Sequence, residues 1–338
     1  MEKVRFEDVA TRVNTREDRM NTSLLYYVGG EHIDSNELLV QGRGLIKGST
    51  IGPMFYCGFK KGDVLLVSRN PHLKKASMVG FDGICSEKTF VLGTKDSAVL
   101  LQEYLAVIVQ SDAFWKYCEE HKSGGVNYFL NWSTLAKYEF KLPSIKEQKE
   151  IADKVWAAYR LKESYKKLLA ATDEMVKSQF IEMFKGDNQV PLGDICNIEK
   201  GATITRNDVL PGEVPVVAGG QEPSCYHNVA NREAGAITVS ASGAYAGYIN
   251  FWNCPIFASD CNTIISKDDE KTDQTFVYFG LRAMQKQIYG LQKGGAQPHV
   301  YGKDLQKFMF PYPSYAKQIE FSKMAKQADK SKYNEYKS

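Results

Sequence analysis

The sequence has no run approaching the roughly 18 to 20 consecutive apolar residues that a membrane-spanning helix needs. Met1-Glu2-Lys3 opens no signal peptide, so the expectation is a cytoplasmic protein without a membrane partner. There is no C-x-x-C pair either. The seven cysteines, Cys57, Cys85, Cys118, Cys196, Cys225, Cys254 and Cys261, are scattered, which offers no metal framework and fits free, mostly buried thiols in a reducing compartment. The five histidines, His32, His72, His121, His227 and His299, form no H-E-x-x-H, and Cys225-Tyr226-His227 lacks the further ligands a zinc site requires. No G-x-S-x-G elbow is present, and the acidic pair Asp268-Asp269 sits in a charged loop of the solvated kind. A strong net charge is also missing. The total is +3 over 338 residues, spread as +1 for residues 1–143, +2 for 144–185, −3 for 186–313 and +3 for 314–338. That excludes a generic polyanion binder, so any nucleic-acid role must use a local basic face or the charge of a partner.

Two segments approach catalytic signatures and fail in detail. Ser68-Arg69-Asn70-Pro71-His72 is near the Asn-Pro-Pro-aromatic loop of amino-methyltransferases, but His72 replaces the second proline and Leu73 the aromatic residue. Gly295 to Gly302-Lys303 is too long for a phosphate-binding loop and has Asp304 where Ser or Thr should hold magnesium. The sequence offers no catalytic or metal site of its own.

What it does contain is a repeat. At a constant offset of 170 residues, Gly124-Gly125 falls on Gly294-Gly295, Leu135 on Leu305, Lys137 on Lys307, Phe140 on Phe310, Pro143 on Pro313, Ser144 on Ser314, Gln148 on Gln318 and Glu150 on Glu320. Val4, Asp8 and Val9 find Val190, Asp194 and Ile195 at a slightly different offset. A period of this length exceeds any solenoid unit, so each copy is a domain plus the helix after it.

Runs such as Leu24 to Gly30 and Gly62 to Ser68, bounded by glycine, read as strands of an irregular mixed sheet. Leu100, Leu101, Tyr104, Leu105, Ile108, Phe114 and Trp115 recur at helical spacing and predict one helix from Ser97 to about His121. Thr275 to Tyr289 predicts its counterpart. Ser144 and Glu147 form a capping box after Pro143. Residues 144–185 then contain neither glycine nor proline. Ile151, Val155, Tyr159, Tyr165, Leu168, Val176, Phe180 and Phe184 mark an apolar stripe along a helix of roughly 60 Å, which Gly186 stops. A shorter helix begins at Ser314, and the polar tail from Asp329 is expected to fray. The resulting boundaries are a first domain at 1–143, a spacer helix at 144–185, a second domain at 186–313 and a C-terminal helix at 314–338.

Polar and basic groups gather at a few turns. Arg43, Ser68, Arg69, Asn70, Lys74, Lys75, Lys122 and Asn127 in the first domain are candidate DNA contacts. Arg206, Gln221, Arg232, Ser240, Ser242, Tyr245, Lys293 and Gln297 are the candidates in the second. Arg and Lys suit phosphates and guanine edges, Asn and Gln suit adenine, and glycines let backbone amides approach a phosphate. The bland alternative for each is an ordinary polar loop.

The segment Phe140-Lys141-Leu142-Pro143-Ser144-Ile145-Lys146-Glu147-Gln148 before a long helix resembles the specificity (S) subunit of type I restriction-modification enzymes. So does the second domain's opening, Val190-Pro191-Leu192-Gly193-Asp194-Ile195. Ile237 to Gly243, Ala258 to Thr263, and Pro311-Tyr312-Pro313-Ser314 with Gln318 are similar to the family pattern as well. The resemblance implies an α+β protein in which two similar mixed α/β target-recognition domains are separated by long helices pairing as an antiparallel coiled coil. Each domain would bind one half of a bipartite, asymmetric double-stranded DNA site. The helices would set the half-site spacing and dock two modification (methyltransferase) subunits. Restriction subunits would add translocation and cleavage, with S-adenosylmethionine, ATP and Mg on the partners and no cofactor on this chain. One departure is that the tail helix is much shorter than the central one. Tyr165, Leu168, Val176, Phe180 and Phe184 are therefore the expected partner-binding face. Two other readings stay open: the specificity region of a stand-alone methyltransferase or restriction enzyme, and a coiled-coil scaffold with no DNA role.

Overall fold

The computed structural model describes residues 2–333. The chain divides into two compact units, Met1–Ser164 and Tyr165–Ser338. Among the described residues no helix is long and apolar enough to cross a membrane.

Unit 1 contains β1 (Glu2–Arg5), α1 (Phe6–Val9), β2 (Ala10–Arg12), β3 (Thr15–Arg16), β4 (Tyr26–Val28), β5 (Gly44–Leu45), β6 (Phe55–Phe59) and β7 (Val64–Val67). These are followed by β8 (Ala76–Met78), β9 (Gly83–Ser86), β10 (Thr89–Thr94), α2 (Gln102–Ile108), α3 (Asp112–Glu120), α4 (Trp132–Leu135) and β11 (Glu139–Leu142). The helix α5 (Ile145–Met183) is 39 residues long. Unit 2 continues with β12 (Gln189–Pro191), α6 (Leu192–Ile195), β13 (Cys196–Lys200), β14 (Val214–Val217), β15 (Cys225–His227), β16 (Ala236–Ser240) and β17 (Ile249–Trp252). It ends with β18 (Phe257–Ala258), β19 (Cys261–Ser266), α7 (Gln274–Ala283), α8 (Gln285–Tyr289), α9 (Gly302–Gln306), β20 (Met309–Pro311) and α10 (Tyr315–Tyr333).

The sequence repeat is a repeat of frame. Unit 1 has a sheet of order β2-β10-β7-β8, and unit 2 has the corresponding β13-β19-β16-β17. The central strands are short apolar runs: Val64, Leu65 and Leu66 are fully buried, as are Ala236, Ile237 and Val239. The opening strand of each unit pairs antiparallel with its closing strand, Val4 opposite Phe140 and Val190 opposite Phe310. That pairing explains why both segments carry the repeat. The units differ in what is added: a five-stranded sheet, β3-β6-β9-β4-β5, in unit 1 and a three-stranded sheet, β15-β14-β18, in unit 2.

A pair of equivalent glutamines ties the frames. Gln102 Nε2 donates to the carbonyls of Gly62 (2.9 Å) and Leu92 (3.1 Å) while its Oε1 accepts from Thr94 N–H. Gln274 does the same with Gly235 and Ile264 (both 2.9 Å) and with Ser266 N–H. Each amide closes the gap between a helix start and a sheet edge, where backbone groups would otherwise be orphaned.

Two expectations require correction. The single helix from Ser97 to His121 is two, because Ser111 caps α3, its Oγ accepting from Phe114 N–H (3.3 Å) and donating to Ile108 O (2.7 Å). The counterpart at Thr275 to Tyr289 is likewise broken, at Met284 between α7 and α8. α10 runs to Tyr333, and the rest of the tail expected to fray, residues 334–338, lies outside the described residues.

The capping box of α5 forms as expected. Ser144 N–H and Oγ both donate to Glu147, at 2.9 and 2.8 Å, and Glu147 N–H donates back to Ser144 Oγ at 3.4 Å. These bonds hold the Glu147 carboxyl below the usual carboxylate range, the backbone bond contributing most. Beyond the helix, Gly186 adopts φ +88°, a left-handed turn that side chains resist.

The apolar stripe of α5 is used differently from the expectation. In unit 1, Ala152, Trp156 and Tyr159 are buried in the core, and Trp156 Nε1 donates to Glu103 O (3.1 Å). In unit 2, Val176, Phe180 and Phe184 are buried in the core beside Phe276, Phe310 and Phe321. They are therefore not a face left for a partner. Tyr165 and Leu168 are exposed. α10 packs against the same end of α5: Lys317 pairs with Asp187 (3.6 Å), and Phe321 meets the rings of Phe184 and Phe180. The contacts thus pass from the turn after α5 to Phe180 within it as α10 advances.

Candidate nucleic-acid interface

In each unit a strand of the central sheet exits into a turn that is sewn to a glycine-containing hairpin. In unit 1, Asn70 N–H donates to Tyr128 O (2.9 Å) and Leu130 N–H to Ser68 O (2.8 Å). Ser123 and Phe129 exchange both backbone bonds at 2.9 Å. In unit 2, Gly243 N–H donates to Pro298 O (3.1 Å), Val300 N–H to Ala241 O (2.9 Å), and Lys293 and His299 exchange bonds at 2.9 and 2.8 Å. The two junctions are equivalent bond for bond. Ser68, Arg69 and Asn70 correspond to Ala241, Ser242 and Gly243, and Phe129 corresponds to His299.

Backbone geometry dictates part of this composition. Asn70 has φ +51° and Gly243 φ +83°, the left-handed region that Asn and Gly tolerate best. In the hairpins Gly124 has φ +98° and Gly294 φ +97°. A Cβ on Gly124 would sit 2.6 Å from Asn127 O, and one on Gly294 2.8 Å from Gln297 O. Gly124→Ala and Gly294→Ala are each expected to cost about 1–3 kcal/mol and to unseat the hairpin. Amide exchange of the Ser123–Phe129 or Lys293–His299 bonds would measure it, and unchanged protection would contradict the expectation.

The side chains around this common frame differ. Arg69 is exposed with its guanidinium 5.5 Å from the Phe129 ring. Lys122 lies 4.1 Å from the Tyr128 ring and pairs with Glu119 (2.7 Å). Asn127 is exposed at the hairpin tip, and Lys74 pairs with Asp112 at 3.4 Å. In unit 2 Ser242 donates its hydroxyl to Asp260, while Tyr245 and Gln297 are exposed. Lys293 pairs with Asp304 (2.7 Å), and that hydrogen bond holds the Asp304 carboxyl below its ordinary range. Gln221 is exposed, and its backbone carbonyl accepts from Asn250 Nδ2 (2.8 Å). Pairs such as these, at least partly open to solvent, contribute little to stability, and a phosphate can take the place of the carboxylate.

Ser68, Ser240, Arg232 and Lys75 serve the fold instead, a correction to the expectation that they face DNA. Ser68 is buried, and its N–H and Oγ both donate to Lys88 O (2.8 and 2.7 Å). Ser240 is buried and donates to Gly220 O (3.3 Å). The Arg232 guanidinium is committed to Glu199 (3.0 Å), Thr263 Oγ1 (3.0 Å) and Asn231 O (2.8 Å). Lys75 donates to Gly30 O at 2.6 Å. Arg43 belongs elsewhere in unit 1, beside β5, stacked over Tyr26 (4.0 Å) and Phe81 (4.9 Å). Arg206 is exposed in the loop between β13 and β14.

His299, Phe129 and Asp260 were absent from the sequence candidates, although all three border the junctions. His299 lies at the repeat offset from Phe129, so the repeat itself carried that signal. Asp260 carried none, because its link to Ser242 depends on the crossing of β19 beside β16.

Residues 12–170 and 186–335 match the model of the type I restriction modification DNA specificity domain. Among solved structures, the S subunit of a type I restriction-modification system from M. genitalium has a TM-score of 0.65 at 15% identity, covering 99% of this chain and 91% of that one. A structure described as the basis of complex assembly and conformational transition of the type I R-M system has a TM-score of 0.51 at 18% identity, covering 98% and 90%. No curated protein matches the sequence. With the specificity domain matched twice over most of its length, and both copies folded on one frame, the chain belongs to the type I restriction modification DNA specificity domain family.

Proposed function

We propose that this chain is the non-catalytic specificity subunit of a cytoplasmic type I restriction-modification complex, each unit reading one half of a bipartite, asymmetric double-stranded DNA site. The observation that carries the reading is the repeated strand-exit and hairpin junction with unlike side chains. Arg69, Asn70, Lys122 and Asn127 decorate it in one unit, and Ser242, Tyr245, Lys293 and Gln297 in the other. A common frame fixes how a reader docks, and different tips let it recognise different bases. Lys74, Arg43, Arg206 and Gln221 are proposed as flanking contacts. The helices α5 and α10 pair as a coiled coil that spaces the half-sites, with residues 1–143 and 186–313 as the recognition domains. Two methyltransferase subunits dock on the helices, with exposed Tyr165 and Leu168 among the contacts. A restriction and translocation subunit completes the complex, and S-adenosylmethionine, ATP and Mg are held by those partners. The relative described by its complex assembly supports this arrangement.

The test is methylated-adenine mapping with this chain and its methyltransferase partner. Combined Arg69→Ala and Lys122→Ala should relax one half-site, and combined Lys293→Ala and Gln297→Ala the other, by about 1–3 kcal/mol of discrimination per lost base contact. Both pairs acting on the same half-site would sink the reading. So would a complex that prefers no duplex across a salt titration.

A further inference from the structure

Of the seven cysteines, Cys118, Cys196 and Cys261 are buried, Cys225 is half-buried and Cys254 is exposed; the remaining two form a pair. β6 and β9 run antiparallel in the five-stranded sheet of unit 1, and Cys57 stands directly opposite Cys85. Tyr56 is the extra residue of a bulge at this point, between the pairs Phe55–Ser86 and Cys57–Cys85. Directly opposed residues of an antiparallel ladder have Cα atoms about 4.5–5.5 Å apart, inside the roughly 4.4–6.8 Å that a disulfide spans. Their side chains lie on the same face of the sheet, since directly opposed residues of an antiparallel pair do. Cys85 is fully buried beside Val28, Phe59 and Val91, whereas Cys57 is half-buried and reachable from solvent.

We propose that Cys57 and Cys85 are a reversible thiol–disulfide modification site, oxidised by a hydroperoxide, with Cys57 attacking and Cys85 resolving. The charge environment favours that order. The adjoining Cys85 thiol, with help from Arg12 and Arg16, lowers the Cys57 thiol to about 7 against opposition from burial and from Glu87. The adjoining Cys57 thiol and burial push the Cys85 thiol well up. Elsewhere burial pushes Cys118, Cys196 and Cys261 up to about 12, which leaves them inert.

The chemistry balances in two steps. The Cys57 thiolate attacks one peroxide oxygen, the O–O bond breaks, and the departing hydroxide takes a proton to leave as water, giving a sulfenic acid. The Cys85 sulfur then attacks the Cys57 sulfur, the S–O bond breaks as S–S forms, and the hydroxyl leaves with the Cys85 proton as a second water. The two thiols lose two electrons and the peroxide gains them. The product clamps β6 to β9 two residues before Glu87-Lys88. Lys88 O is the acceptor that holds the Ser68 turn, at 2.8 Å from Ser68 N and 2.7 Å from Ser68 Oγ.

The experiment treats the reduced full-length chain with one equivalent of hydrogen peroxide and maps disulfides by peptide mass spectrometry. A Cys57–Cys85 cross-link that dithiothreitol reverses is expected. In Cys85→Ser the sulfenic acid should persist on Cys57 and be captured by dimedone, while Cys57→Ser should leave Cys85 unmodified. Oxidation confined to exposed Cys254 or to Cys225, with Cys57 and Cys85 both still reduced, overturns the proposal. So does dimedone capture on Cys85 in Cys57→Ser.

Discussion

Replacing Phe180 by alanine is expected to cost about 3–5 kcal/mol and to lower the unfolding transition of unit 2 while leaving that of unit 1 in place. Phe180 is 3% exposed and lies within 5.1–6.1 Å, ring centre to ring centre, of Phe184, Phe276, Phe310 and Phe321. These rings come from α5, α7, β20 and α10, so one side chain holds four elements together. Truncation removes the transfer free energy of the ring and leaves a cavity that helices anchored at both sides cannot collapse around. Gly280 gives a second sign of tight packing, since a Cβ there would come within 2.7 Å of the Phe180 ring. Denaturant unfolding followed by probes in each unit decides the matter. A loss below ~1 kcal/mol, or one shared equally by both units, would contradict the packing described.

Gln148→Ala should destabilise unit 1, and Gln318→Ala unit 2, each by about 3 kcal/mol, through unsatisfied backbone groups rather than lost apolar contact. Both glutamines are 0% exposed. Gln148 Oε1 accepts from Leu101 N–H (3.0 Å), and its Nε2 donates to Val99 O (2.8 Å) and Pro143 O (2.9 Å). Gln318 Oε1 accepts from Asp273 N–H (3.0 Å), and its Nε2 donates to Lys271 O (3.1 Å) and Pro313 O (3.0 Å). In each case the amide joins the start of a long helix to the loop that opens α2 or α7. Alanine removes the partner of one donor and two acceptors in unit 1, and of one donor and the Pro313 carbonyl in unit 2, where Lys271 O keeps the Tyr312 hydroxyl (3.1 Å). Gln297→Ala, at an exposed hairpin tip, is the control and should leave stability unchanged. Equal behaviour of Gln297→Ala and Gln318→Ala in thermal unfolding would remove the hydrogen-bond account.

The repeat was legible because its best-preserved residues do the same mechanical work in both units. Phe140 and Phe310 pair with the opening strand, Gln148 and Gln318 sew the exit helix, and Gly124 and Gly294 turn the hairpin. Each of these roles depends on a local conformation or a single partner, so spacing in the chain is enough to reveal it. The equivalence of Gln102 with Gln274 escaped notice because the helix stretches around them have dissimilar apolar patterns. The burial of Phe180 was misjudged for another reason. A stripe at helical spacing fixes which residues share a face, but the identity of what covers that face comes from α7, β20 and α10, which arrive from distant parts of the chain.

Among the candidate DNA contacts, residue type alone could not separate presentation from support. Arg69 and Arg232 are the same amino acid in similar polar surroundings of sequence, yet one guanidinium faces solvent over Phe129 and the other is spent on Glu199, Thr263 and Asn231. The sequence by itself determined the two-domain plan, the capped long helix and the family, because periodicity, turn residues and repeated motifs are properties of neighbours along the chain. Tertiary structure alone decided which polar side chains remain available, which aromatic residues close the core of unit 2, and that Cys57 stands opposite Cys85. Those outcomes depend on strand register and on which surfaces meet, and contacts made across long stretches of chain leave no local pattern to read.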